Sequence, residues 1–565
     1  MMAKVEALFD MRLSRDQDDR ARRNLLPARI VLVRGKVTNA ESLLDDHPVQ
    51  VFLGRKGVCR LENGPEGEKA AILLDFGREF HGNLRLTAAE ISGEAKRAGV
   101  RIRFGESVME ALAPLGHKNA GNDHALRDKV YNVGFLSTTE TNESGFRFAL
   151  IELEDRNAMV ELQAVHLCFI FRDIPYLGSF ACSDPRLDEI WKTAAYTVHL
   201  NMQQYIWDGI KRDRLVWQGD LHTEILTIEN AFGINPVVPK TLDFLRDGTP
   251  EGDWVNGYSS YSLWRIIEQA EWYRFTGDRE YLDRQRASIK AQLTLAMAHV
   301  DEDGCEQLPE FRFLDWPNLE NKPATHAGLQ SLMKLALTEG AYLLNILDET
   351  EQAERCRSVA KRMEWHIPDC AGSKQAAAML ILSGLGDAAK LNREVLAPGG
   401  ARGYSTFMGY YLLAAKAKAG DWQGALDDLR AYWGSMLDMG ATTFWEDFNL
   451  DWMKNAGRID EVVPEGKIDI HGDYGAFCYQ GFRHSLCHGW SSGPVPFLTR
   501  HILGVTILEP GCRRLSVEPH LGDLEWVRGD YPTPLGVVHI SHTLQPNGSI
   551  KTEYTAPEGV GIVLK

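Results

Sequence analysis

Two helical segments joined by a three-residue turn lie in residues 404–437, which read YSTFMGYYLLAAKAKAGDWQGALDDLRAYWGSML. Apolar residues recur at helical spacing on both sides of the turn Ala419-Gly420-Asp421. Gly suits the left-handed position that ends one helix, and Asp can cap the next. The same Gly-Asp turn recurs at Thr276-Gly277-Asp278 and at Leu385-Gly386-Asp387. The stretch therefore predicts tightly joined pairs of helices.

The helical region extends over about residues 181–505. It begins with Asp184 as an N-cap and Pro185 at the first helical position. Trp, Asp, Glu and His collect at the helix ends, and no strict repeat is found, which favours a closed barrel of hairpins over a solenoid. Further helices are predicted at 259–275, 279–299, 324–347, 350–364, 372–384, 404–419 and 422–437.

The regions before and after the helices show the alternation of half-buried strands. Residues 71–76, 100–104 and 146–151 are examples in the first region, and residues 537–542 in the last. Residues 114–128 lack the pattern and are predicted to form a long loop. The domains predicted are an N-terminal β-sandwich over 1–180, a helical barrel over 181–505 and a small C-terminal β-sandwich over 506–565.

Composition and charge indicate a soluble globular protein. The 565 residues are 44% hydrophobic and 25% charged, which suits two to four domains with a large core. A net charge of −16 without a basic stripe argues against a nucleic-acid partner. Residues 1–6 lack a signal core, and no run of about 18 apolar residues occurs, so no membrane partner is expected. Nine scattered cysteines fit free thiols, and we expect a cytoplasmic location.

The densest group of chemically active residues is the stretch DGIKRDRLVWQGD, from Asp208 to Asp220. A solvated loop of ion pairs is the alternative interpretation, but Trp217 is an unusual residue for such a loop. Glycoside hydrolysis needs one carboxylic acid and a second carboxyl group across the sugar ring. Neighbouring carboxylates would raise the pKa of the acid, whereas Arg212 and Arg214 would lower it, and the sequence leaves that balance open.

Two further clusters combine polar residues with tryptophan. GATTFWED includes Glu446, and SLCHGWSSGP includes His488 and Trp490. A helix-capping role for Glu446 and a structural role for His488 are the alternatives. Aromatic faces stack on the apolar C–H side of pyranose rings, so paired acid and Trp residues, such as Asp315-Trp316, are what a sugar pocket needs.

Several other chemistries lack their motifs. No HExxH, clustered Cys/His spacing or EF-hand loop is found, so we predict neither a metal site nor a cofactor. The absence of a P-loop, of GxGxxG after a strand and of GxSxG argues against nucleotide, dinucleotide and serine-hydrolase chemistry.

Together these clusters resemble the motifs of the inverting bacterial α-L-rhamnosidases. The stretch from Asp208 to Asp220 is similar to the family's signature, which closes on Trp-x-Gly-Asp. The segment from Gly440 to Glu446 resembles its Gly-Ala-Thr-Thr-x-Trp-Glu motif, and the segment from Ser485 to Trp490 resembles its histidine-containing motif. Leu74-Asp75-Phe76-Gly77 and Gly105-Glu106-Ser107 are similar to the family's N-terminal β-sandwich. The resemblance covers about residues 70–520.

The resemblance implies a mainly α fold, with an (α/α)6 barrel between the two β-sandwiches, and a pair of catalytic residues. Asp213 stands at the position of the general acid and Glu446 at that of the general base. Many members of the family carry Glu as the acid, so Asp213 indicates a subtype. The substrate-binding residues would be Asp208, Arg212, Trp217, Asp220, Trp254, Asp315, Trp316, Trp445, His488 and Trp490.

The implied activity is hydrolysis of terminal α-L-rhamnose from small glycosides. Another (α/α)6 enzyme, such as an unsaturated glucuronyl hydrolase or a glycoside phosphorylase, is one alternative, and a non-catalytic carbohydrate-binding protein is another. A phosphorylase would lack the base, and a binding protein should have lost an acid or a base. Small rhamnose-containing glycosides are the expected partners, with a homodimer as one oligomeric alternative. The aglycone preference depends on what completes the site beside the rhamnose, with residues 113–128 and a neighbouring subunit as the alternatives.

Overall fold

A computed structural model describes residues 12, 14, 16–92, 96–309 and 311–565. Residues 1–6, on which part of the expectation of a cytoplasmic protein depends, lie outside the described residues. Within these ranges, no helix is both long and apolar enough to cross a membrane.

The N-terminal part of the chain forms one large antiparallel sheet with its own hydrophobic cluster. The long strand β5 pairs with β10 on one side and with β9 on the other, and the main path runs β3-β4-β10-β5-β9-β6-β7. The alternating runs predicted at 71–76, 100–104 and 146–151 lie in β5, β6 and β9 respectively. The ten strands are β1 Ala21–Leu25, β2 Arg29–Arg34, β3 Lys36–Thr38, β4 Cys59–Asn63, β5 Ala71–Ser92, β6 Arg97–Gly105, β7 Asp128–Gly134, β8 Ser137–Glu140, β9 Ser144–Leu153 and β10 Ala158–Phe171.

The connection between β6 and β7 contains helix α1 (Val108–Leu112) and a short 3-10 turn at His117–Asn119. No strand lies between residues 113 and 127, all of which are described, so the predicted irregular loop is confirmed. The loop packs against the later part of the chain. Phe482 shares a small hydrophobic cluster with Ala113 and Ala120.

The middle of the chain is helical, as the periodicity predicts. Its helices are α2 Pro185–Asn201, α3 Leu221–Ala231, α4 Val237–Asp247, α5 Ser259–Thr276, α6 Arg279–Met297, α7 Lys322–Ile346, α8 Thr350–Arg362, α9 Lys374–Ser383, α10 Ala388–Leu391, α11 Gly409–Lys418, α12 Trp422–Asp438 and α13 Pro494–Phe497. Helices α3, α5, α7, α9, α11 and α13 contact one another in that order, and α13 also contacts α3. These contacts form a closed cycle.

Aspartate side chains cap the N-termini of several helices, and left-handed glycines end some of them. Asp184 Oδ1 accepts a hydrogen bond from the Arg186 backbone N–H at 2.9 Å, and Asp278, Asp387 and Asp421 cap α6, α10 and α12 in the same way. Gly277 ends α5 with φ of 65°. One prediction is wrong: Gly384, with φ of 74°, ends α9 in place of Gly386. A left-handed residue is needed where the helix closes, and that point falls two residues earlier.

The strands after the helices pack on the helical region and share its hydrophobic cluster. Strand β11 (Ser179–Cys182), which precedes α2, pairs with β18 (Trp526–Thr533) and so joins a four-stranded sheet with β19 (Gly536–Leu544) and β20 (Ile550–Thr555). A second sheet contains β16 (Val505–Glu509), β17 (Arg514–Val517) and β21 (Gly561–Leu564). Four two-residue strands lie between α12 and α13: β12 Ala456–Gly457, β13 Ile468–Asp469, β14 Gly475–Ala476 and β15 Tyr479–Gln480.

The N-terminal sheet approaches the segment after α2 so closely that only glycine fits at the contact. A Cβ atom on Gly145 in β9 would lie 2.6 Å from Ile210 Cγ1 and 2.8 Å from the Lys211 backbone nitrogen. Both distances are shorter than van der Waals contact. The position of residues 210–211 is therefore coupled to this strand.

We expect Gly145→Ala to lower the free energy of unfolding by about 1–3 kcal/mol, because an added methyl group in a packed contact forces the backbone to move. Urea unfolding measures the change. Gly134→Ala is the matched control, since the nearest atom to its Cβ would be Ser137 Oγ at 3.4 Å. Equal stability of the two variants would contradict the tight contact.

Candidate active site

The segment from Asp208 to Asp220 connects α2 to α3 and is fixed by its own hydrogen bonds. Asp208 Oδ1 accepts from the Leu215 backbone N–H at 2.9 Å, and the Asp208 N–H donates to the Leu215 carbonyl oxygen at 3.1 Å. Asp213 and Arg214 have φ values of 52° and 54°. Left-handed backbone of this kind costs about 1–3 kcal/mol per residue and is typical of functional sites. The strained turn points the Asp213 and Arg214 side chains in different directions.

Groups of the N-terminal domain and Trp207 hold this turn. The Asp213 backbone N–H donates to His124 Nδ1 at 2.9 Å, and the same ring nitrogen lies 3.3 Å from Asp213 Oδ1. The Arg214 guanidinium lies 4.8 Å from the centre of the Trp207 ring and donates to the Glu143 carbonyl oxygen at 3.3 Å. His124 belongs to the loop 113–128, which the sequence associates with substrate preference.

Arg212 joins the two carboxylates expected to act in catalysis. Its Nη2 pairs with Glu446 Oε1, and its Nη1 lies 3.4 Å from Asp213 Oδ1. Arg212 and Glu446 are 5% and 2% exposed. A buried charge is costly unless it is paired, so this contact determines how the segments bearing the two residues are placed.

Glu446 is also held through its backbone. Its N–H donates to the Ser485 carbonyl oxygen at 2.9 Å, and its Oε2 accepts from the Ser485 N–H at 3.2 Å. The Trp490 indole N–H donates to the Glu446 carbonyl oxygen at 2.9 Å. The GATTFWED and SLCHGWSSGP segments therefore meet at Glu446.

Asp208 and Asp220 are buried beside Asp213. Burial raises the pKa of Asp208 well above its ordinary value, and the charges of Asp220 and Asp213 raise it further. Burial and the charge of Asp213 likewise raise the pKa of Asp220 well above its ordinary value. Asp208 Oδ2 has no hydrogen-bond partner in the described part of the chain. A protonated carboxyl group can donate to and accept from a hydroxyl, which suits a polyol ligand.

His488 lies between Asp220 and Trp490. Its Nε2 is 3.1 Å from Asp220 Oδ1, and its ring centre is 4.4 Å from that of Trp490. Burial lowers the pKa of His488 to about 4. The ring is therefore neutral at pH 7.

These residues surround a small cavity of about 70 Å³. Trp217 donates its indole N–H to Asp213 Oδ2 at 3.2 Å across the wall. The lining combines carboxylates, one arginine and aromatic rings, which is the composition expected of a sugar pocket. It consists of Asp208, Arg212, Asp213, Trp217, Asp220, Tyr258, Tyr261, Trp316, Glu446, Cys478, His488 and Trp490.

Three lining residues were missed by the sequence analysis. Tyr258 and Tyr261 stand at the start of α5, with ring centres 4.8 Å apart. Their spacing of three residues near a helix N-terminus was the available signal. Cys478 lies between β14 and β15, where no sequence motif marks it; its Sγ is 3.9 Å from Arg212 Nη1.

Three residues expected to bind substrate do not line this cavity. Trp254 packs edge-on against His299, with ring centres 5.2 Å apart. Asp315 is buried and caps the turn that carries Trp316, and burial raises the pKa of Asp315 to about 7. Trp445 is 1% exposed and packs against Phe448. Trp316 and Glu446, the chain neighbours of Asp315 and Trp445, line the cavity instead.

A buried network beneath the site connects it to the N-terminal domain. Lys211 Nζ lies 2.9 Å from Glu106 Oε2 and 3.3 Å from Glu110 Oε1, and it donates to the His484 carbonyl oxygen at 2.7 Å. Glu106 Oε2 also accepts from the Leu486 N–H at 2.6 Å. This network holds the backbone next to Arg212 and on both sides of Ser485.

Two groups of potential metal ligands occur among the described residues, and neither contributes to the cavity lining. Glu106, Glu110 and His471 form the first group, but the Lys211 ammonium already supplies the positive charge between its two carboxylates. Cys305, His326 and His366 form the second.

Comparison with known proteins gives a family match for part of the chain and similar solved structures for most of it. Residues 175–364 match the family described as the bacterial alpha-L-rhamnosidase 6 hairpin glycosidase domain. No curated protein sequence matches the chain. Among solved structures, the chain is similar to a GH78 family rhamnosidase of Bacillus sp. GL1, with 22% identity and a TM-score of 0.73 over 93% of this chain and 55% of that one. The chain thus spans about half the length of that relative.

Two other similar structures contain the sugar. A rhamnosidase from Klebsiella oxytoca with rhamnose bound shares 21% identity and a TM-score of 0.66 over 86% of this chain and 96% of that one. A Streptomyces avermitilis α-L-rhamnosidase complexed with L-rhamnose shares 17% identity and a TM-score of 0.69, over 87% and 48% of the two chains. At these identities the similarity establishes the fold.

We expect the stability of the wild-type protein to fall more steeply between pH 7 and pH 4 than that of His488→Gln. The pKa of His488 is lowered to about 4 in the folded protein, from an ordinary value of 6.5. The unfolded state therefore binds more protons in this range. The contribution of the neutral ring is fully present above pH 6.5 and is lost as the pH falls towards 4. It amounts to roughly 3 kcal/mol.

Urea unfolding at several pH values measures this difference in slope. The control is His539→Gln, because the side chain of His539 is 62% exposed. A pH dependence in His488→Gln identical to that of the wild type would contradict a buried neutral ring.

Proposed function

We propose that this chain, whose residues 175–364 match the bacterial alpha-L-rhamnosidase 6 hairpin glycosidase domain, hydrolyses terminal α-L-rhamnose from small glycosides with inversion at the anomeric carbon. The observation that carries the proposal is the contact of Arg212 with both Asp213 and Glu446 in one cavity. Two carboxyl groups on distant segments are thereby brought to the same small pocket. The rhamnose present in the Klebsiella and Streptomyces structures supports rhamnose as the sugar.

In the proposed reaction, Asp213 donates a proton to the departing glycosidic oxygen and Glu446 removes a proton from the attacking water. The Trp217 indole N–H orients the Asp213 carboxyl group, and Arg212 and the Ser485 N–H orient that of Glu446. The guanidinium between the two carboxyl groups keeps them apart on that side of the pocket. A separation of about 6.5–9.5 Å leaves room for the water that inversion requires.

The remaining polar groups would hold the sugar hydroxyls. Asp208 and Asp220, with pKa values raised by burial, each offer a donor and an acceptor at neutral pH. The neutral ring of His488 accepts or donates beside them. Trp217, Tyr258 and Trp490 supply aromatic faces for the C–H side of the ring and its methyl group.

We propose that the helical region forms an (α/α)6 barrel. The closed cycle of contacts through α3, α5, α7, α9, α11 and α13 supports these six helices as the inner ring. The site lies at one end of that ring, because the segments before α3 and after α12 both reach it. We also propose a cytoplasmic location, in which nine free thiols are stable.

Screening aryl glycosides with the purified protein separates this proposal from the alternatives. Release of nitrophenol from an α-L-rhamnoside, without phosphate, supports hydrolysis. Phosphate-dependent cleavage would indicate a phosphorylase, activity only on unsaturated uronides would indicate a glucuronyl hydrolase, and binding without turnover would indicate a carbohydrate-binding protein.

The stereochemistry can be read directly by proton NMR. If Asp213 and Glu446 act as an inverting pair, the first rhamnose released from an α-rhamnoside should be the β anomer. A spectrum recorded before mutarotation checks this. First release of the α anomer would require a covalent intermediate and would overturn the assignment of Glu446 as a base.

The roles of the two carboxylates can be separated by the leaving group. A general acid matters most when the leaving group is poor. Asp213→Asn should reduce cleavage of an alkyl or sugar rhamnoside by about 10²–10⁴-fold and that of a nitrophenyl rhamnoside much less. Glu446→Gln should affect both substrates alike, because water must be activated in either case.

Azide provides a second test, since it needs no deprotonation. It should partly restore activity to Glu446→Ala and form the inverted glycosyl azide. The melting temperature of each variant serves as the control for folding. Equal losses on both substrates for a well-folded Asp213→Asn protein would remove that residue from the role of acid.

A further inference from the structure

Three potential metal ligands converge outside the cavity, where the connections after α6 and α8 meet the start of α7. Cys305 follows α6, His326 stands in the first turns of α7, and His366 follows α8. His326 Nε2 lies 2.9 Å from His366 Nε2 and 3.8 Å from Cys305 Sγ. The three ligand atoms all lie within 4.8 Å of one another. Each residue is partly exposed, so the cluster is accessible from solvent.

The spacing of these atoms is close to that of a tetrahedral ion. With Zn–N of about 2.0–2.1 Å and Zn–S of about 2.3 Å, tetrahedral ligand atoms lie roughly 3.3–3.6 Å apart. The observed distances bracket that range. Small side-chain rotations would therefore place all three atoms around one ion, and a water molecule would complete four ligands.

A carboxylate orients the central histidine. Glu306 Oε1 accepts from His326 Nδ1 at 2.6 Å, which turns the lone pair of Nε2 towards His366 and Cys305. A carboxylate hydrogen-bonded to the far nitrogen of a ligand histidine is the usual support of a protein metal site. Arg312 pairs with the same carboxylate on the Nδ1 side of the ring, away from Nε2.

The backbone around the cluster is held by a single buried side chain. Gln330, one helical turn after His326, donates to the carbonyl oxygens of Gly304 and His366 at 2.7 and 3.2 Å. Its Oε1 accepts from the Glu306 N–H at 2.8 Å. The segments that carry Cys305 and His366 are thus fixed to α7 independently of any ion, and the cluster is preorganised for binding.

We propose that Cys305, His326 and His366 form a binding site for a borderline divalent transition metal, with Zn²⁺ as the reference ion. The site is structural: it joins the connection after α6, helix α7 and the connection after α8. Through Glu306 and Arg312 it also reaches the segment that leads to Trp316 in the cavity wall. The ligand set of one thiolate and two imidazoles selects Zn²⁺, Co²⁺ or Cu over Mg²⁺ and Ca²⁺.

Cobalt provides a spectroscopic test on the full-length protein after exhaustive chelation. Titration with Co²⁺ should produce a thiolate-to-metal charge-transfer band that saturates at one ion per chain, and Zn²⁺ should displace it. Cys305→Ser should abolish the band, and His366→Ala should weaken binding at least about tenfold. Mg²⁺ should neither compete with Co²⁺ for this site nor displace bound Co²⁺.

Two control variants test whether the Co²⁺ band depends on Cys305, His326 and His366. Cys478→Ser removes the exposed thiol of the cavity, and His539→Ala removes an exposed histidine elsewhere; both should retain the band and its affinity. One equivalent of Zn²⁺ should raise the melting temperature of the wild type but not of Cys305→Ser. The proposal is overturned if the folded wild type shows no stoichiometric band, or if the band persists unchanged in Cys305→Ser.

Discussion

The ion pair between Arg212 and Glu446 is the contact on which the site depends. Both side chains are buried, and a buried charge without its partner costs several kcal/mol. The segment after α2 and the segment after α12 must therefore meet in one geometry. Because the Glu446 backbone is bonded to Ser485 and Trp490, the same contact also brings in the third motif. The cavity is the space left between these segments.

The N-terminal sheet participates in the site in addition to flanking it. Glu106 accepts from the Leu486 N–H and pairs with Lys211, next to Arg212. His124 contacts the strained turn at Asp213. A turn with two consecutive left-handed residues persists only where its surroundings over-determine it, and here the surroundings come from another domain. The helical region alone would lack these supports.

The acidic groups of the pocket have different neighbours. Asp208 and Asp220 have pKa values raised by burial and by their neighbours, whereas Glu446 has an arginine partner. Groups of one chemical type thus acquire different roles from their environments. His488, with its pKa lowered by burial, adds a neutral donor or acceptor beside Asp220.

The sequence by itself determined most of the long helices, several of the strands and the residues of the three motifs, because periodicity, caps and motif spacing are local properties. Asp213, Glu446 and seven other predicted residues line the cavity for that reason. Only the tertiary structure decided which neighbour of a motif residue faces the cavity: Trp445 and Asp315 pack away from it, and Tyr258, Tyr261 and Cys478 join it. It also brought Cys305, His326 and His366 together from two connections and a helix. Such convergence depends on how distant helices pack, and the spacing of residues along the chain carries no record of that packing.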